Sequence, residues 1–104
     1  MQSISFEHCN NVVVSGLTSL NSKEIHISIG HCSNLRIQNV KIIAPSGSPN
    51  TDGIVVQDSS GITISGGSIR TGDDCISIGP GAKNMWIERI ACGPGHGIRY
   101  DLSM

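Results

Sequence analysis

The sequence predicts an all-β chain, a right-handed parallel β-helix of about four coils, and three observations carry the prediction. A short phrase recurs at near-constant spacing, Ile and Val alternate with polar residues inside each recurrence, and Gly, Asn and Ser punctuate the runs. The 104 residues suffice for one small domain, and the whole chain, 1–104, reads as a single partial solenoid.

The recurring phrases are Cys9-Asn10-Asn11-Val12-Val13-Val14, Cys32-Ser33-Asn34-Leu35-Arg36-Ile37, Ser59-Ser60-Gly61-Ile62-Thr63-Ile64 and the weaker Ala82-Lys83-Asn84-Met85-Trp86-Ile87. One register, through Asn11, Asn34, Gly61 and Asn84, steps by 23, 27 and 23. A second, through Ile27, Ile54, Ile76 and Ile98, steps by 27, 22 and 22. Both lengthen across Ala44-Pro45-Ser46-Gly47-Ser48-Pro49, so one coil carries a loop insertion. Alternation at Val12/Val14, Ile25/Ile27/Ile29, Ile54/Val56, Ile62/Ile64 and Ile76/Ile78 puts the apolar side chains on one face of short strands. The period is too short for a tetratricopeptide unit or a propeller blade. Leucine-rich repeats have a similar period, but no Leu-x-x-Leu-x-Leu phrase occurs and no segment reads as a helix.

Composition narrows the function classes. Apolar residues make up 38%, mostly aliphatic, with Phe6, Trp86 and Tyr100 as the aromatics. A formal net charge of −1 without a charge run gives no support to a nucleic-acid groove or an anionic-membrane surface. No signal peptide and no transmembrane segment are read in the chain. The cysteines, Cys9, Cys32, Cys75 and Cys92, contain no Cys-x-x-Cys pair, so zinc is not expected. Cys9 and Cys32 lie one coil apart and read as stacked interior thiols, with a disulfide also geometrically possible. Asn11 and Asn34 either form a ladder or serve as left-handed turn residues.

The chemistry sits in a column. Asp52, Asp74 and His96 follow one another at equal steps of 22, one coil each, with Asp73 beside Asp74 at the same turn. Taken singly, each Asp reads as a turn residue capping its loop. In register with an imidazole, carboxylates about 5 Å apart repel, so one of them holds its proton above the usual range, an arrangement suited to general acid–base catalysis.

The phrases Asn50-Thr51-Asp52, Gly72-Asp73-Asp74 and Gly95-His96-Gly97 resemble three of the four signatures of the polygalacturonases, glycoside hydrolase family 28. Their flanks, Ser48-Pro49 through Ile54, Thr71 through Ile78 and Cys92 through Ile98, resemble the plant branch, and the resemblance covers residues 6–98. It implies a secreted cell-wall hydrolase that cleaves α-1,4-galacturonosyl linkages of pectin with inversion and needs neither metal nor cofactor. Asp73 would be the general acid, Asp52 and Asp74 would activate the water, and His96 would hold them through hydrogen bonds. Acid and base in such enzymes stand roughly 6.5–9.5 Å apart. The resemblance also implies a Cys75–Cys92 disulfide. The fourth signature, Arg-Ile-Lys, is not found, Arg99 has no assigned role, and residues 99–104 diverge. A truncated chain with impaired activity is therefore expected. The competing readings are an inactive β-helix fragment and a hydrolase of rhamnogalacturonan or xylogalacturonan.

Overall fold

A computed structural model describes residues 4–20, 25–44, 52–71, 75–93 and 98–100. Ten strands run through them: β1 Ile4–Glu7, β2 Asn10–Ser15, β3 Thr18–Leu20, β4 Ile25–Gly30, β5 Ser33–Ile43, β6 Asp52–Gln57, β7 Ser60–Arg70, β8 Ile76–Ile78, β9 Lys83–Cys92 and β10 Ile98–Tyr100. Every pairing is parallel and joins strands one coil apart. One sheet is ordered β1-β4-β6-β8-β10; the other is ordered β2-β5-β7-β9, with β3 also on β5. This is the expected right-handed parallel β-helix, and among the described residues no helix interrupts it.

The registers match the repeat. Ile27 pairs with Ile54, Ile54 with Ile76 and Ile76 with Ile98. In the second sheet Val12 pairs with Leu35, Leu35 with Ile62 and Ile62 with Met85. The long step falls between β4 and β6 and between β5 and β7, on either side of the inserted loop.

Three columns of left-handed residues turn the coil. His8, His31, Asp58 and Gly81 have φ of 57°, 53°, 48° and 81°, and Asn11, Asn34, Gly61 and Asn84 have 57°, 57°, 71° and 55°. Gly16, Asn39, Gly66 and Arg89, at 74°, 55°, 77° and 55°, bend the long strands. Asn and Gly predominate because a Cβ disfavours this conformation by roughly 1–2 kcal/mol, least for residues with short polar side chains. Asn11 and Asn34 are thus left-handed turn residues.

Ile27, Ile29, Ile54, Val56 and Ile76 point inward from one sheet and Leu35, Ile37, Ile62 and Ile64 from the other, each at most 1% exposed. Val40, Ile42 and Ile69, beyond the bend, close the third side. Identical β-branched side chains stacked in register bury apolar area on every coil, about 1.5–3 kcal/mol for each full side chain. Cys9 and Cys32 are free thiols, as the stacked reading expects. The Cys32 sulfur lies 3.3 Å from the Cys9 amide, and Ser59 occupies the next coil, its hydroxyl accepting from the Cys32 amide at 3.1 Å.

Candidate active site

Asp52 is the first residue of β6, half-buried, and pairs with Ile25 one coil below. Its neighbour Gly53 is buried against β8. A Cβ at Gly53 would strike the carbonyl oxygen of Cys75 and stand 2.7 Å from Cγ2 of Ile69. Only a glycine lets the chain pass there, and that passage allows the Ile54 amide to donate to the Cys75 carbonyl at 2.9 Å. The residue after Asp52 therefore clamps β6 to the next coil directly beside the carboxylate.

Cys75 is fully buried and forms a disulfide with Cys92, the last residue of β9, with a Cα–Cα distance of 6.1 Å. Two more bonds tie this corner: Gly93 donates to Ile69 at 3.1 Å and Ala44 to Arg70 at 2.8 Å. Thr71, 2% exposed, closes the interior just before the Gly72-Asp73-Asp74 phrase. Asp73, Asp74 and His96 lie outside the described residues, as do Asn50 and Thr51. The structure therefore locates one member of the expected column, Asp52, and the described residues that flank the others: Thr71 and Cys75 on one turn, Gly93 and Ile98 on the next.

Sequence reasoning passed over Arg70. It ends β7 with its side chain exposed, in a hollow shared with Ser68, Ala91, Cys92 and Gly93. The available signal was its place three residues ahead of Asp73 in the sequence.

The fold is that of a parallel β-solenoid, with an acidic residue opening β6 and a disulfide bracing the adjoining turns. The particular family follows from sequence comparison. The family model for glycosyl hydrolases family 28 matches residues 1–100, and the chain belongs to that family. It is 58% identical over 95 residues to a polygalacturonase of Prunus persica, a match covering 91% of this chain and 24% of that protein. It is 52% identical over 96 residues to an exopolygalacturonase of Zea mays, covering 92% and 23%, and 50% identical over 95 residues to a polygalacturonase of Gossypium barbadense, covering 91% and 23%. The chain spans about a quarter of the length of these curated relatives.

Proposed function

We propose that this chain carries the acid–base centre of an inverting hydrolase of α-1,4-linked galacturonan, acting on pectin in the cell wall. One observation carries the reading. Ile54, Ile76 and Ile98 pair on successive coils, and Asp52, Asp74 and His96 each precede one of them by two residues. Were the parallel pairing to continue two residues back, the three positions would stand in one column at the sheet spacing of about 4.8 Å.

In this centre Asp73 donates its proton to the leaving glycosidic oxygen. Asp52 and Asp74 take a proton from water as it attacks the anomeric carbon from the opposite face, and His96 holds the carboxylates by hydrogen bonding. Repulsion between neighbouring carboxylates keeps one of them protonated at the working pH. The exposed Arg70 offers charge-assisted contacts to a uronate carboxylate. The Cys75–Cys92 disulfide accords with an oxidising, extracellular setting.

The test is a chimera in which this chain replaces the matched segment of the Prunus persica polygalacturonase. Reducing ends should appear from polygalacturonate, and proton NMR should show the β-anomer first. Asp73→Asn should lower turnover by about 10²–10⁴-fold with the fold intact. Undiminished turnover in Asp73→Asn would show that the acid is another residue, and activity confined to rhamnogalacturonan would replace the substrate.

A further inference from the structure

At the far end of β6 from Asp52, the corner built from His8, His31 and Asp58 gathers groups that the hydrolase reaction does not use. His8 and His31 stand one coil apart, with rings stacked at a centroid distance of 5.1 Å and an interplanar angle of 14°. The Glu7 carboxylate lies 3.6 Å from Nδ1 of His31, and the Asp58 carboxylate lies 3.9 Å from its Nε2. One ligand atom each from Glu7, His8 and His31 falls within 4.8 Å of the others, and all three side chains are exposed.

We propose that Glu7, His8 and His31 form a binding site for a zinc-class transition-metal dication. Two imidazoles and a carboxylate are the donor set that zinc and its neighbours prefer, whereas magnesium and calcium take oxygen ligands alone. The backbone is already placed. His8 and His31 are held left-handed at φ 57° and 53°, which turns both rings to the same corner. Gly30, paired with Glu7, has no side chain to displace the carboxylate, whose carbon lies 3.1 Å from where a Cβ would stand. Asp58 faces the other nitrogen of His31, the place of the carboxylate that orients a metal-bound histidine. Donors around a tetrahedral zinc stand about 3.3 Å apart, so the ligand atoms close by up to about 1.5 Å, and the near-parallel rings, both on exposed side chains, rotate to bring their in-plane lone pairs onto one ion. The remaining coordination positions fall to water, leaving an open site. The expectation of no zinc rested on cysteine spacing; these histidines are far apart in sequence and meet only because the step from His8 to His31 is one full coil.

The test uses the chain with its Cys75–Cys92 disulfide intact, titrated with zinc chloride by calorimetry and with cobalt(II) by absorption. One equivalent should bind. His31→Asn should weaken binding by more than about 10-fold, and Asp58→Asn by about 10-fold. Asn is chosen because it tolerates positive φ, so an unchanged far-ultraviolet circular dichroism spectrum isolates the loss of the ligand. Glu7→Gln, in an ordinary extended strand, should also weaken binding and serves if His31→Asn misfolds. Absent saturable binding, affinity unchanged in both His31→Asn and Glu7→Gln, or a cobalt–thiolate charge-transfer band assigning the ion to Cys9 and Cys32 would each overturn the proposal.

Discussion

Replacing Gly53 by Ala should destabilise the chain by about 1–3.5 kcal/mol, although its backbone conformation accepts any residue. Gly53 is absent from the left-handed positions, so the penalty is purely one of space. The added methyl would meet the Cys75 carbonyl and stand 2.7 Å from Cγ2 of the buried Ile69, about 1 Å inside the normal carbon–carbon contact. Relief requires β6 to move away from β8, which stretches the 2.9 Å bond from the Ile54 amide to the Cys75 carbonyl. Overpacking of this kind costs about 1–3 kcal/mol, and a lost hydrogen bond adds about 1 kcal/mol. The gain from a stiffer unfolded chain, about 0.4–1 kcal/mol, offsets only part of this. Gly93 is the control, since nothing lies within 4 Å of its virtual Cβ, and Gly93→Ala should be neutral or slightly stabilising. Urea unfolding followed by circular dichroism reads the difference. Equal midpoints for the two variants would show that the Gly53 contact is not tight and that β6 is not clamped as described.

Reducing the Cys75–Cys92 bridge should lower stability by about 3 kcal/mol, the loop-closure value for a separation of 17 residues, and an unchanged urea midpoint in reductant would refute it. The Cys32 thiol is pushed above its ordinary range, chiefly by burial. The folded chain therefore holds that proton more tightly than the unfolded one. Its contribution to stability is complete below about pH 8.5 and is lost as pH rises through the folded-state value. Alkylation of Cys32 should accordingly lag behind that of Cys9, and comparable rates at about pH 8 would contradict the burial.

The coil period and the position of the insertion were legible because stacking imposes the same spacing on every face. Asn11, Asn34, Gly61 and Asn84 anchored the reading, and all four prove to be left-handed. The bend at Asn39, Gly66 and Arg89 was not legible. It divides each long strand into two faces, and Arg89 carries no compositional mark of a left-handed residue. At the site, Asp52 could be placed from its spacing to Ile54, whereas the reason for Gly53 lies in the carbonyl of Cys75, a whole coil further along the chain. The pairing of His8 with His31 escaped notice because each histidine alone looks like a surface turn residue.

The insertion itself bears on the proposed role of Asp52. Glu7, Gly30 and Gln57 are paired in one column, and Asn10, Ser33 and Ser60 in the next, so that corner has one length in three coils. The bend is equally constant, from Gln38 to Lys41 and from Ser65 to Ser68. Length varies instead where the second sheet hands over to the first. Leu20 pairs with Ile43 and Ile25 with Asp52, so the stretch from Ile43 to Asp52 is longer than that from Leu20 to Ile25 by the whole insertion. A parallel coil cannot absorb extra residues within its strands without breaking register on both neighbours. They collect at one corner, and register resumes at the first paired residue beyond it. That residue is Asp52, held by Ile25 below and by the Gly53–Cys75 clamp above. The chain can therefore carry insertions of different length ahead of Asp52 without moving it, a division between variable loop and rigid scaffold that suits the proposed role of its carboxylate.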